Sequence, residues 1–206
     1  MSVNHHFDLS AAFNDKTLLT SLMWNHHIGI GKKAKFKITY GVRVSNFYSK
    51  DVIYTSAPSK YWLKGNLSDT LSISAPQVNN LTLLIGFRYS IGRFDIGFNI
   101  DGIGVSYGGQ KEAEFTKNNT KTKQDTEVSQ LTALLIGAND RGMLKSELYV
   151  AYHIFEDIYV RIGISDIFTE YKTPLGISDT NGNDRFRAET KLFVAGISYC
   201  PKHIFK

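Results

Sequence analysis

The chain has 206 residues, 42% of them hydrophobic and 13% aromatic, and a net charge of +5. That length allows one domain with a sizeable core, while a mean hydropathy of −0.19 and no apolar run near the roughly 20 residues of a membrane helix exclude a helical membrane protein. The positive charge is scattered, with no aromatic-interleaved basic stripe, so nucleic acid is not an expected partner, and Cys200, the one cysteine, excludes an intramolecular disulfide and a multi-cysteine metal site.

Thirteen Phe and eleven Tyr against four Pro favour strands. A first strand is predicted over His6–Phe13, with Phe7, Leu9, Ala11 and Phe13 on one face. Asn14-Asp15 turns the chain into a second, Thr20–Ile30, with Leu22, Trp24, Ile28 and Ile30 together. Gly31-Lys32-Lys33 leads to a third, Ala34–Tyr48. There Phe36, Ile38, Tyr40, Val42 and Val44 alternate with Lys37, Thr39, Gly41 and Arg43. Side chains of a strand point to opposite faces in turn, so this is a strand with one apolar and one polar face.

A long polar stretch, Ser49–Pro76, precedes the fourth strand, Asn79–Ile91. Gly92-Arg93 turns tightly into the fifth, Phe94–Tyr107, where Phe94, Ile96, Phe98 and Ile100 alternate with Asp95, Gly97, Asn99 and Asp101. The alternation slips near Gly102, which predicts a bulge. Gly108–Gly142 is Lys/Thr/Asn-rich, then apolar at Leu131–Ile136. That run is a ninth strand, an inward-folded loop or a strand extension; pairing it with the next strand would shift the parity of every later connection, so it is kept with the loop. The sixth strand, Leu144–Phe155, puts Leu148, Val150, Tyr152 and Ile154 on one face and Glu147, Tyr149, Ala151 and His153 on the other. Glu156-Asp157 leads to the seventh, Ile158–Tyr171, and a loop with Pro174, Gly176 and Asn181–Asp184 to the eighth, Arg185–Tyr199.

Connections after the second, fourth and sixth strands are short; those after the third, fifth and seventh are long and polar. With an even strand count and both chain ends on the short-turn rim, this predicts a single all-β domain, 1–206: an eight-stranded antiparallel up-and-down transmembrane β-barrel with short periplasmic turns and long extracellular loops. Periodicity alone does not say which face is inside, and a soluble lipocalin-like barrel would put the apolar face inward. Strands of about 11–15 residues, longer than the usual five or six, favour the membrane arrangement, as do mid-strand Arg and Asp on the polar face. That face predicts a luminal polar network of Lys37, Arg43, Arg88, Asp95, Asp101, Glu147, His153 and Arg161. The three arginines are expected to pair with Asp95, Asp101 and Glu147. Two details resist. His26 falls on the apolar face, and Arg187, Glu189 and Lys191 share parity with Phe193, so Arg187 and Glu189 must lie above the membrane or the strand must bulge.

Several segments carry a resemblance: His5-His6-Phe7, Tyr54–Lys60, Leu134–Gly142, Ser146-Glu147, Phe168–Tyr171 and Asn183–Arg187. Together they resemble the small porin-like outer-membrane β-barrels common in Bacteroidetes, over nearly the whole chain. The resemblance implies a fold and an outer-membrane address with a secretory signal; it implies no reaction. The N-terminal MSVNHHFDLS lacks the features of a signal peptide, so either the signal has been removed or the protein stays in the cytoplasm.

Several groupings offer chemistry, each beside a plainer structural reading. His153, Ser165 and Glu147 have the residue types of a serine esterase, but an inward His153 reads more simply as part of a polar network. His6 and His27, from the pairs His5-His6 and His26-His27, are both candidates for the lumen and with Asp8 offer metal-ligand chemistry; ordinary packing is the simpler reading. Asn139–Gly142 and Asn181–Arg185 offer oxygens for Ca²⁺, and turn chemistry explains the same residues. Asn118-Asn119-Thr120 matches a glycosylation acceptor. The expectation is a non-enzymatic barrel of the bacterial outer membrane, structural or presenting a ligand site on its long loops, without a cofactor and monomeric. Outer-membrane lipid and lipopolysaccharide are its expected partners, the latter at Lys111–Lys123. A lipid hydrolase built on the barrel and a lipocalin-like carrier are the alternatives.

Overall fold

A computed structural model of the chain describes residues 3–57, 69–117, 120–135, 139–174 and 183–201. Among them every regular element is a strand: β1 (Val3–Phe13), β2 (Thr17–Ile30), β3 (Phe36–Ser49), β4 (Asp51–Ser56), β5 (Thr70–Ser74), β6 (Gln77–Ile91), β7 (Phe94–Tyr107), β8 (Lys111–Lys117), β9 (Thr120–Val128), β10 (Leu131–Ala133), β11 (Leu144–His153), β12 (Ile158–Lys172) and β13 (Arg185–Tyr199). They form one antiparallel sheet of 13 strands. Eight of them, β1, β2, β3, β6, β7, β11, β12 and β13, pair in chain order, and β13 pairs back onto β1 from Phe13↔Phe193 to Phe7↔Tyr199. The ring is closed.

Two of the predicted strands, the fifth and the eighth, match to the residue. The others move at their ends for local reasons. β2 starts at Thr17 because Asn14 Oδ1 accepts from the amides of Lys16 and Thr17, which makes a three-residue turn. β3 starts at Phe36 because Gly31 and Ala34 both take left-handed φ and lengthen the turn. Gly92, at φ 62°, supplies the conformation that the two-residue loop between β6 and β7 needs at its first position.

The other five strands correct the reading of the connections as loops. β4 and β5 pair as a hairpin arm, β8 and β9 as another. Each carries only two or three inward apolar side chains among Lys, Glu, Thr and Ser, too few to stand out by periodicity. β10 covers the start of the apolar run at Leu131 and pairs with Ile103–Val105 of β7, along the edge that β11 leaves free beyond Ile100. It is the strand-extension reading that the pairing supports for 131–133; residues 136–138 lie outside those described. The slip at Gly102 is a bulge: Leu83 faces Ile103 while Leu84 faces Asp101.

The hairpin arms build a second, smaller ring. β5 pairs with β8, β9 with β12 and β13 with β4, so β4, β5, β8, β9, β12 and β13 close on themselves above the first ring. The two rings share the long strands β12 and β13. The upper ring is filled with apolar side chains, among them Tyr54, Leu71, Ile73, Phe115, Val128 and Phe186, all buried. Tyr54 packs edge-on to Tyr171 at 5.2 Å and Phe115 to Phe186 at 5.9 Å.

The lower ring is the reverse. Its outer face carries exposed apolar residues, with Leu22 at 56%, Ile85 at 59% and Ile162 at 59% exposure, while Arg43, Arg88 and Arg161 inside are almost fully buried. A soluble carrier would have its apolar face inward, so the lipocalin-like alternative is overturned. Space inside is made by glycine. A Cβ on Gly97 would stand 2.3 Å from the Tyr149 ring, so only glycine lets that ring lie across the lumen. We expect Gly97→Val to displace Tyr149 and lower unfolding stability by about 1–3 kcal/mol, measured by urea titration of the detergent-folded protein.

Candidate functional site

The interior of the lower ring gathers the largest group of buried, chemically active side chains among the described residues. Strand alternation puts every second residue there, so Arg43 from β3, Asp101 from β7, Lys145 and Glu147 from β11 and Arg161 from β12 meet at one level. Arg43 Nη1 lies 2.7 Å from Asp101 Oδ1. Glu147 takes three cations: Lys145 Nζ at 2.7 Å, Arg161 Nη1 at 3.0 Å and Arg43 Nη2 at 4.0 Å. Asp101 Oδ2 also accepts from the Lys145 amide at 3.1 Å, and Arg161 Nη2 donates to Ser10 Oγ at 3.0 Å.

A second ionic layer sits nearer the short-turn rim. Arg88 Nη1 lies 3.4 Å from Asp95 Oδ2, which also faces His153 Nε2 at 3.0 Å. Arg88 Nε donates to the Tyr149 hydroxyl at 3.3 Å. The Arg161 guanidinium stands 5.2 Å from the centre of the same ring. Tyr149 thus joins the two layers. Asp8 is buried as well, held by Asn25 Nδ2 and Ser198 Oγ. Fully buried cations (Arg43, Arg88, Lys145, Arg161) and fully buried acids (Asp8, Asp95, Asp101, Glu147) are equal in number within this interior. Lys37 is half-buried toward the rim.

The structure therefore places all eight residues read from the sequence on the inner face, and joins every one but Lys37 by a contact within 4 Å. It adds Lys145, which sequence reasoning passed over, and brings in Tyr149, read there only as a residue of the same face, and Asp8, read there only as a metal-ligand candidate. Lys145 and Tyr149 have the parity of Glu147, and Asp8 the parity opposite Phe7 and Leu9, so alternation alone would have found all three.

The catalytic alternative does not assemble. Ser165 pairs opposite Glu147 and His153 opposite Tyr159. Six residues separate Ser165 from Tyr159, about 20 Å at ~3.3 Å per residue. His6 and His27 are both buried, with ring centroids 4.3 Å apart. Asp8 turns to Asn25 and Ser198, and among the described residues no group of three or more His, Cys, Asp or Glu is placed to hold a metal ion. His26 is outward, stacked on Tyr40 at 5.0 Å and against Trp24 at 4.8 Å, in an aromatic cluster near the rim.

The charges at the top of β13 lie on a strand that runs without a bulge from Lys172↔Arg185 to Ile158↔Tyr199. There Glu170 of β12 is buried against Arg185 Nη2 at 2.6 Å and Arg187 Nη2 at 3.8 Å. Both arginines also donate to the backbone carbonyl of Asp140. Asp140 Oδ1 accepts from the Leu135 amide at 2.7 Å. The Asp140 oxygens are thus engaged as turn and latch. Asn183 brackets the backbone of Arg185 in the same way. Asn181-Gly182 and the acceptor Asn118 lie outside the described residues.

In the upper ring, burial pushes the Tyr171 hydroxyl up to about 12 and the Tyr54 hydroxyl also upward, so both stay neutral. Tyr54 contacts Thr169 Oγ1 at 3.1 Å and Tyr171 donates to the Gln77 carbonyl at 3.2 Å. Outside, Lys121 lies 2.7 Å from Glu114 and Lys123 2.7 Å from Glu112. The Glu112 hydrogen bond holds the Lys123 ammonium above its ordinary range.

No family model and no curated protein matches the chain. Among solved structures it is similar to Neisserial surface protein A (NspA), at 8% identity over 96% of this chain and 94% of that one, with a TM-score of 0.40. A major outer membrane protein from Thermus thermophilus is 11% identical over 98% of this chain and 100% of that one, with a TM-score of 0.45. Ail, the attachment invasion locus protein of Yersinia pestis, is 7% identical over 97% of each chain, with a TM-score of 0.35. At such identities and scores the likeness carries neither function nor ligand across.

Glu147 is the acid on which three interior cations converge, and removing one partner of a buried pair costs about 3–5 kcal/mol. Glu147→Gln is expected to destabilise the barrel by that amount in a urea titration. Lys121→Gln, which breaks an exposed pair, should change stability by less than about 1 kcal/mol.

Proposed function

We propose that this chain is a small non-enzymatic barrel of the bacterial outer membrane. In this reading the lumen is closed, and β4, β5, β8 and β9 build, with the ends of β12 and β13, a cap at the cell surface. The observation that carries it is the reversal of polarity along β12 and β13. In the lower ring their outer faces are Val160, Ile162, Ile164, Phe193, Ile197 and Tyr199, and the interior is ionic. In the upper ring the outer side chains include Lys191 and Glu189, and the interior is Phe186, Ala188 and Tyr171. A strand with lipid outside and then water outside needs this inversion, because apolar surface is stable toward lipid and charge toward water.

The height of the apolar band supports the same reading. On β3 it runs from Phe36 to Val44 and ends at Asn46. Eight steps of ~3.3 Å at a tilt of about 40° give roughly 20 Å, close to the ~25 Å band of outer-membrane barrels. The short-turn rim, with both chain ends, is assigned to the periplasm and the capped rim to the outside. The resemblance to small Bacteroidetes barrels agrees with this placement. Lipopolysaccharide and a ligand at the cap are the partners it offers. Since Lys121 and Lys123 are each held by a glutamate, attraction to anionic sugar is weaker than the run of lysines suggests.

Two experiments test the reading. Ile85→Arg, on the outer face of β6, should cost about 2–4 kcal/mol in refolding into lipid vesicles. Asn79→Arg, on the same face above the band, should cost less than about 0.5 kcal/mol; equal tolerance of the two would refute the membrane placement. In planar bilayers the protein should give no steady conductance, because two ionic layers, Tyr149 and the apolar cap fill the bore. A stable open channel would overturn the closed lumen.

A further inference from the structure

We infer that the short-turn rim between β2 and β7 binds anionic phospholipid in the periplasm-facing leaflet, through headgroups of net negative charge such as phosphoglycerol; this rests on the membrane-spanning reading above. The turn from β2 to β3 carries Lys32, Lys33 and Lys35, and the turn from β6 to β7 carries Arg93, all exposed. The two turns stand side by side. β3 pairs with β6 down to Phe36↔Tyr89, and the Ser90 amide then donates to the Lys35 carbonyl at 2.9 Å. Four cations therefore share one short arc of the rim. Lys37, half-buried, adds a fifth from just inside the mouth.

No acid answers them. Residues 16–50 and 70–94 contain neither Asp nor Glu, so β2, β3, β6 and the two turns have no carboxylate of their own. Asp95, the next residue along β7, points inward and is taken by Arg88 and His153. Among the described residues none of the five cations takes part in an ion pair within 4 Å. The capped rim differs, since Lys121 and Lys123 each have a glutamate there. The next turn round, between β11 and β12, carries Glu156 and Asp157 and ends the patch. Gathered like charges repel one another, and an external anion relieves that repulsion.

Position selects a lipid. Phe36, Tyr89, Ile91 and Phe94 are exposed on the outer wall at the same edge, Phe36 opposite Tyr89 and Ile91 opposite Phe94. Lys35 directly precedes Phe36 and Arg93 directly precedes Phe94, so these cations lie one residue step, ~3.3 Å, from the surface that meets hydrocarbon. Aromatic side chains at such an edge mark the headgroup level. The longer turn, Gly31–Lys35, extends the backbone by at most about two steps, or ~7 Å, the depth of one headgroup layer. A cell-wall polymer beneath the membrane lies deeper than that. The phosphate of an ethanolamine or choline lipid is already countered by its own ammonium, whereas a phosphoglycerol keeps its net charge. Each Lys or Arg at an anionic surface strengthens binding about fivefold.

In the test the full chain is folded in detergent and equilibrated with equimolar phosphatidylglycerol, phosphatidylethanolamine and phosphatidylcholine. It is then captured on a resin, and the lipid it retains is counted by mass spectrometry. Folding is read separately by the heat-dependent shift in gel mobility. Phosphatidylglycerol is expected at about fivefold or more over either competitor, and the preference should fade between about 0.1 and 1 M salt as the screening length shrinks. The quadruple variant Lys32→Gln, Lys33→Gln, Lys35→Gln, Arg93→Gln should lose the preference and keep the gel shift. The cap variant Lys121→Gln, Lys123→Gln should keep both. A folded protein that retains the three lipids equally, or a quadruple variant that keeps the preference, overturns the patch and leaves the barrel reading standing. So does a patch whose four side chains govern cosedimentation with purified peptidoglycan and not lipid retention. A protein with no folded, detergent-embedded form overturns both.

Discussion

In hydrocarbon a backbone N–H or C=O has no water to bond, so a sheet can lie there only if it has no edge. The pairing of β1 with β13, from Phe13↔Phe193 to Phe7↔Tyr199, removes the last edge. The rest of the lower ring follows from it. Closure on eight strands fixes a bore that side chains just fill, so whatever points inward is buried whether it is apolar or not. Outer positions must then be apolar and inner positions can be polar only if they satisfy one another.

The ionic interior answers that second demand with neutrality. Burying a lone arginine is prohibitive, and a buried pair gives back roughly the desolvation it suffers. Arg43 with Asp101, Arg88 with Asp95 and Arg161 with Glu147 therefore do little for stability as a sum. What they fix is arrangement: each acid comes from a strand other than that of its arginine, so a slipped register would strand a charge. Lys145 and Glu147 lie on one face of β11, two residues apart, and pair with each other, while the same acid takes Arg161 from β12 and Arg43 from β3 across the bore. Gly97 serves this packing by leaving room for Tyr149, the aromatic bridge between the layers.

The ring was legible in the sequence because two signals coincide there. Phe94, Ile96, Phe98 and Ile100 against Asp95, Gly97, Asn99 and Asp101 give both the strand and its two faces, and Gly92 marks the turn. The slip at Gly102 was visible as a break in that rhythm. The cap was not legible. Its strands carry few apolar residues, such as Ala113 and Phe115 among Lys111, Glu112 and Glu114, and their inward faces are completed by Tyr171 and Phe186 from strands far along the chain. Periodicity reports what a segment buries against a whole sheet. It does not report a core shared among short arms. Arg187 and Glu189 looked misplaced for a related reason: Glu170 and the Asp140 carbonyl that receive the arginines are contributed by another strand and another connection.

The upper ring also resolves a difficulty that the lower one creates. β12 and β13 run well beyond their partners. β11 pairs with β12 only as far as Phe168, and β1 with β13 only as far as Phe193. Left alone, the extended pair would offer two free edges to the medium, a template for pairing with other chains. β9 takes the first edge at Tyr171 and β4 takes the second at Phe186. β5 and β8 then close the circuit between them. Once that ring exists its interior is sealed from water, and apolar filling becomes the stable choice, the opposite of the ring beneath it. One strand face thus changes from charged to apolar without a kink, the inversion that the proposed passage from lipid to water on its other side requires.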